Sequence, residues 1–265
     1  MVTWGHAAYG GNSEEVQEAL SSGVEHIYST GAAFAAVKAD GSVVTWGASM
    51  QGGNSNHVKD ELSSGVLHIY PNGGAFAALK ADGSVVTWGM AMSGADSWNV
   101  SDELSSGVLH IYTNDSAFAA LKAGGSVVTW GGVPGRGGNS EDVEEALSSG
   151  VQRIYSSAEA FAAVIADGSV VTWGNTKKGG CSDTMKDALS RDVKHIYSTD
   201  GAFAALKVDG SVVTRRHVFS KINSNDCSQM WPVGRNIVSL ASDLLREWEA
   251  ETYGTTVRIA ASRSA

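Results

Sequence analysis

Apolar and polar positions along this chain fall into a fixed order of short bursts, and then the order starts again. From Gly10 the polar run Gly-Gly-Asn-Ser-Glu-Glu leads into Val16 and Leu20, four apart on one helical face, which predicts a short helix. Asn12 or Ser13 is placed to cap it, Glu14 and Glu15 suit the positive end of its dipole, and Gly23 supplies a left-handed stop. Val24 to Ser29, rich in β-branched and aromatic residues, predicts a strand. Ala33 to Ala39 predicts a second strand whose small side chains suit a crowded layer. Asp40-Gly41 then predicts a two-residue hairpin turn through positive φ angles, and Ser42 to Trp46 a third strand.

The same order returns four more times. Trp-Gly stands at Trp4, Trp46, Trp88, Trp130 and Trp173, at intervals of 42, 42, 42 and 43 residues. Phe34, Phe76, Phe118, Phe161 and Phe203 keep that beat, and so do Tyr28, Tyr70, Tyr112, Tyr155 and Tyr197. One further step lands on Arg215-Arg216, where the pattern stops. The units therefore run near 5–47, 48–89, 90–131, 132–174 and 175–214. A three-stranded unit cannot bury both faces alone, and stacking units radially solves this. The expected fold is all-β: a β-propeller of about five three-stranded blades with short helices in the connections. A linear solenoid is the competing solution, but its coils are usually shorter, about 20–30 residues. The chain opens at Met1-Val2-Thr3-Trp4-Gly5, which reads as the tail of a unit. Either this segment pairs with the last unit and closes a five-bladed ring, or the units form an open arc; an uncovered strand edge is a hazard, so closure or covering is expected.

The spelling V-x-x-I-x-x-x-x-x-F-A-A-L-K-x-D-G-S-V-V-T-W-G resembles the RCC1-like repeat, whose blades end in a similar hydrophobic-D-G-x-V-x-x-W-G run. The resemblance covers residues 1 to about 214. It implies a propeller, a fold that the family uses for nucleotide exchange, ubiquitin ligation, enzyme inhibition and general protein interaction. Two departures matter. Ala33-Phe34 stands where the family usually has Gly-x-x-His, and Gly52 to Ser55 reads Gly-Gly-Asn-Ser instead of Gly-Gln-Leu-Gly. No exchange-factor residue carries over by matching, so that activity is not implied. The wording is also similar to repeats in uncharacterised proteins of microalgae and cyanobacteria.

Residues 215–265 leave the repeat. Near 236–251, Ile237, Leu240, Ala241, Leu244, Leu245 and Trp248 follow the stripe of an amphipathic helix, opposite Arg246, Glu247, Glu249 and Glu251. Its first reading is a cap over an exposed blade face, and its second a docking helix.

Composition narrows the function. The chain has 265 residues, 32 Gly, 3 Pro, 2 Cys and a formal net charge of −9. Glycine without proline or a three-residue period excludes collagen, and the acidic balance speaks against nucleic acid as a partner. No apolar run reaches the 18 or so residues of a membrane span, which leaves peripheral association with a membrane complex as the only membrane role considered. Cys181 and Cys227 are too few for a disulfide scaffold and read as free thiols. His26, His68, His110 and His195 share one repeat position, with Arg153 at the fifth. A ring of imidazoles can hold metal, but copying with the repeat explains them, so no metal or cofactor is assigned. Asp40, Asp82, Asp167 and Asp209 are turn residues before they are acid/base pairs, and Gly124 replaces one without disturbing the pattern. No phosphate-binding glycine motif or nucleophile elbow occurs. No catalytic residue is therefore expected.

The units differ mainly in the loops after Trp-Gly, and variable loops on a rigid scaffold are where binding surfaces diversify. The partner-binding candidates there are Trp98, Arg136, Lys177 and Lys178, joined by Leu244 and Trp248 on the helix. The expected function is a non-enzymatic scaffold for protein partners, a peripheral or accessory subunit of a larger complex, membrane-bound or photosynthetic complexes included. The alternatives are a regulator of an enzyme or small GTPase and a lectin-like multivalent sugar binder.

Overall fold

The structure, a computed structural model, describes residues 1–214. The predicted helix and domain extension over 215–265, with Leu244 and Trp248, lie outside the described residues. The repeat gives five three-stranded antiparallel sheets, each with the order first–second–third strand. They are β1–β3 (Val24–Ser29, Ala33–Lys38, Val43–Gly47) and β4–β6 (Val66–Pro71, Ala75–Lys80, Val85–Gly89). The third and fourth are β7–β9 (Val108–Thr113, Ala117–Lys122, Val127–Gly131) and β10–β12 (Val151–Ser156, Ala160–Ile165, Val170–Gly174). The last is β13–β15 (Val193–Thr199, Ala202–Lys207, Val212–Thr214). These are the blades of a propeller: the first strand of each unit packs on the first strand of the next, and the ends of all five first strands line one polar bowl.

Alternation on the second strand divides the packing. Ala33, Ala35 and Val37 face the following unit and meet its Leu62, Val66, Ile69, Phe76, Ala78 and Trp88. Ala75, Ala77 and Leu79 meet Leu104, Val108, Ile111, Phe118, Ala120 and Trp130 in the same way, and the next two junctions repeat the arrangement. Alanine at two of the three forward-facing positions lets whole sheets close on one another, which is why a helix-favouring residue dominates a strand here. Within the first strand, Val66 and Ile69 are both buried although three residues apart, a spacing that strict alternation would send to opposite faces. A β-bulge between Val66 and His68 adds the residue that brings them to one side, and all five first strands carry it.

Two local predictions are corrected. The Asp-Gly turn is a three-residue loop: Gly41 N–H donates to Lys38 O, Lys38 N–H donates to Ser42 O, and Gly41 alone is left-handed at φ 74°. Asp40 keeps a negative φ because its carboxylate accepts from both the Ser42 N–H and the Ser42 hydroxyl. The predicted helix shrinks to a 3-10 turn, Glu14–Val16, and only the fourth unit gains an α-turn, Glu144–Leu147. Asn12 is the cap, its Oδ1 accepting from Glu14 N–H, while the Ser13 hydroxyl is held by Thr3.

Of the two arrangements open to the N-terminal segment, the described residues show no pairing with the last unit. Met1 to Gly5 forms no strand, Trp4 is 84% exposed, and β15 pairs with β14 alone among the described residues. Backbone bonds clasp neighbouring units near the bowl: Gly31 N–H to Gly73 O, Gly73 N–H to Asp115 O, Asp115 N–H to Ala158 O and Ala158 N–H to Asp200 O. Four clasps join five units in a row, and among the described residues no fifth returns from the last unit to the first. Among the described residues the blades form an open arc.

Candidate functional site

The bowl is built from the residues that follow each first strand. Asn72 and Asn114 bend back, each Oδ1 accepting two backbone N–H groups at the start of the second strand. Their amide nitrogens then donate outward, Asn72 to Ser93 O and Asn114 to Arg136 O. Thr30 donates likewise to Gln51 O and Ser157 to Lys178 O. In each of the first four units one small polar residue thus ties the bowl to the turn that precedes the following blade.

Those turns form a rim, and its chemistry changes along the arc. Tyr9, Met50 and Met92 stand exposed on the first three, Met92 at 64%. Arg136 and then Lys177 and Lys178 occupy the corresponding turns of the fourth and fifth. Arg136 is half-exposed, its Nε 3.6 Å from Glu159, whose other oxygen takes the Asn175 amide. Asn175 also holds the Lys177 N–H. Sequence reasoning picked Arg136, Lys177 and Lys178 but missed Tyr9, Met50 and Met92; the available signal was large flexible or aromatic side chains in loops with no packing duty. Trp98 is 73% exposed but begins a different turn, Trp98–Val100, one step further along its connection. The structure does not join it to the rim position.

Below the rim the first strands carry a belt of alternating phenol and imidazole rings. Tyr28 lies 3.0 Å from His68 Nδ1, Tyr70 lies 3.1 Å from His110 Nδ1, and Tyr155 lies 3.1 Å from His195 Nδ1. His68–Tyr70, His110–Tyr112 and His195–Tyr197 continue it with centroids 4.5–4.6 Å apart. Each imidazole is thus separated from the next by a tyrosine, and among the described residues no three His, Cys, Asp or Glu side chains converge on one point. The shared repeat position makes a row of edge-on and tilted rings, with Arg153 interrupting it in the fourth unit. Cys181 is disulfide-bonded and is not the free thiol expected from the sequence.

Burial raises the affinity of Tyr28, Tyr70 and Tyr112 for their protons. It lowers the pKa of His68, His110 and His195, helped at His68 by the imidazoles of His110 and His26, and at His195 by Arg153 and Lys194. A histidine harder to protonate in the fold than in the open chain contributes stability that is complete above the ordinary pKa of about 6.5 and is lost as pH falls below it. The melting temperature is therefore expected to fall between pH 7 and pH 5, well above the range where the turn carboxylates titrate. His110→Gln should flatten that fall in a calorimetric pH series. An unchanged slope would mean that the belt does not sense protons.

No protein-family model matches the chain, and no curated protein matches it. Among solved structures it is similar to yeast RCC1 (Prp20) bound to Kap60, at 17% identity and TM-score 0.45 over 71% of this chain and 55% of that one. It is similar to human WBSCR16 at 17% identity and TM-score 0.45, over 72% and 61%. A β-propeller domain of Myceliophthora thermophila Cps50 follows at 11% identity and TM-score 0.32, over 76% and 72%. The chain spans little more than half the length of the first two. The resemblance to the RCC1-like repeat is carried by the repeat spelling of residues 1–214.

Proposed function

We propose that residues 1–214 form a non-enzymatic interaction module and that residues 215–265 extend it, the whole serving as an accessory subunit of a larger assembly. The observation that carries this reading is the rim. The conspicuous polar and aromatic repeat residues have structural employment: the aspartates in turns, the histidines in the belt, the tryptophans in the cores. The rim side chains lie outside the cores and, apart from the ion pair of Arg136 with Glu159, are spent on the surface, where they present a graded series from Tyr9, Met50 and Met92 to Arg136 and Lys177. Methionine, tyrosine and arginine are the residue types that protein interfaces favour, and the apolar-to-cationic gradient suits a partner with an acidic edge.

The test is affinity capture from native extract with wild-type chain and with the variant pairs Met50→Asp/Met92→Asp and Arg136→Glu/Lys177→Glu. A stoichiometric partner that falls at least about tenfold with both pairs supports the reading. Recovery unaffected by either pair sinks it. If the rim-dependent partner is a single enzyme or small GTPase, the regulator alternative takes over from the accessory-subunit one.

A further inference from the structure

We propose that the wall formed by the first strands binds a small polyanion, a compound carrying several phosphate groups, on a row of cationic and N–H-donating side chains centred on Arg153. The inference does not depend on what the rim binds.

The belt employs one nitrogen of each imidazole. The Tyr28, Tyr70 and Tyr155 hydroxyls stand 3.0–3.1 Å from Nδ1 of His68, His110 and His195. The Ile69 N–H faces the Tyr28 oxygen, and the Ile111 N–H faces the Tyr70 oxygen. A phenol that accepts from a backbone N–H gives its own proton to the ring nitrogen beside it, so Nδ1 is the acceptor and the neutral ring carries its hydrogen on Nε2. No Nε2 of the three has a hydrogen-bond partner among the described residues, and His68 and His110 are exposed. Each unit with a histidine in the row thus offers an N–H to the solvent. The tyrosine between successive imidazoles keeps them from closing on a single ion. Such spacing suits a ligand whose charges are spread over several groups.

Positive charge gathers where the row is interrupted. Arg153 takes the repeat position in the fourth unit, beside Lys194 and His195 of the fifth, and both cations act on the His195 ring. Arg153 and Lys194 are exposed, and neither has an ion-pair partner among the described residues. The other groups against the imidazoles are tyrosines and, across each sheet, Leu79, Leu121 and Leu206. The five first strands hold one carboxylate, Glu25, next to His26 in the first unit. In a chain of net charge −9 this is a local field of the opposite sign, and it draws anions. The Arg153 guanidinium can take two phosphate oxygens in a fork, with the Lys194 ammonium and the imidazole N–H groups donating beside it. A phosphate monoester also carries roughly −1.5 to −2 charge at neutral pH, more than a carboxylate does. In the free chain, burial and then nearby imidazoles or cations hold His68 and His195 below the ordinary histidine range. A bound polyanion offsets the second effect, so it raises the pKa of these rings.

Isothermal titration calorimetry of the full chain with inorganic tripolyphosphate, at about 50 mM salt so that screening is modest, tests this. Tripolyphosphate is expected to bind at least about tenfold more tightly than inorganic monophosphate. Arg153→Gln should weaken tripolyphosphate at least about tenfold. Arg153→His, which gives the fourth unit the residue of the other four, should approach wild type at pH 6 and fall about tenfold below it at pH 8. Lys177→Gln/Lys178→Gln, on the rim, should stay within about twofold of wild type. In a nuclear magnetic resonance titration, the His195 ring should protonate at higher pH with tripolyphosphate than without it. Arg153 is exposed, so its variants should fold, and circular dichroism checks this. Lys194→Gln, weakened at least about threefold, serves as the second variant. The proposal is overturned by no binding at about 1 mM tripolyphosphate, by equal affinity for monophosphate, or by an unmoved His195. A loss that follows Lys177 and Lys178 instead of Arg153 overturns it equally.

Discussion

Trp88→Ala is expected to cost about 4 kcal/mol or more of unfolding free energy, the largest loss among the aromatic positions. Trp88 is fully buried, stacks on Phe76 at 5.1 Å, and donates its indole N–H to Gly52 O at 3.1 Å. Truncation removes a large apolar surface and leaves a cavity, which typically costs about 3–5 kcal/mol. It also strands a buried carbonyl, worth about 1–3 kcal/mol, and the two losses overlap because relaxation or an entering water offsets part of each. The second unit is flanked on both sides, so its failure breaks two junctions, and stability in repeat arrays depends on just such nearest-neighbour terms. Trp4→Ala is the matched control. It removes the same side chain from the same repeat position but from an exposed site, and monomer stability should change by less than about 0.5 kcal/mol. Urea unfolding of both variants decides the matter: a loss below about 1.5 kcal/mol for Trp88→Ala would show that the indole is not a structural hub.

Much of this fold was legible because the repeat supplies five readings of each local signal. Among the described residues the fifteen strands lie within a residue or two of where the β-branched runs and the repeat of the first unit's turn and strand ends place them. What escaped detection depends on how units meet. The β-bulge at Leu67 is invisible to periodicity, since V-x-x-I looks like a broken alternation until the extra residue is counted. The turn at Asp40 was misjudged because Asp-Gly suits both a two-residue loop and a three-residue loop, and the choice rests on the Ser42 bonds. The open ends were equally hidden. Met1 to Gly5 spells the end of a strand perfectly well, but spelling cannot say whether the opposite blade comes within reach.

The candidate site divides the same way. Arg136 and Lys177 stand out in the sequence because they are charges in variable loops, whereas Met50 and Met92, exposed on the corresponding turns, read there as filler. The histidine column shows the converse. A shared repeat position suggested a ring of imidazoles, but the neighbouring strand offset places Tyr70 between His68 and His110. Sequence gives the column's members, and only the stagger between blades gives their partners.

Gly52→Ala is expected to be nearly as damaging as the loss of Trp88, for the opposite reason. Gly52 ends a 3-10 turn at φ 101°, and a Cβ there would lie 2.5 Å from Cδ2 of Phe76. The φ value alone costs a non-glycine residue about 1–3 kcal/mol. Overpacking a close-fitted core adds about 1–3 more, because Phe76 is pinned between the turn and Trp88 and has nowhere to retreat. Two comparisons separate these contributions. Gly135, at φ 82° with nothing within 4 Å of its would-be Cβ, isolates the conformational part, so Gly135→Ala should cost only about 1 kcal/mol. Gly179, at φ 106°, presents its would-be Cβ to Phe203 at the same 2.5 Å, but there the ring borders a cavity and can move. Gly179→Ala should therefore fall between the other two. Unfolding free energies in the order Gly52, Gly179, Gly135, largest loss first, are the expected result. Equal losses at Gly52 and Gly179 would mean that the space beside Phe203 is already filled in solution.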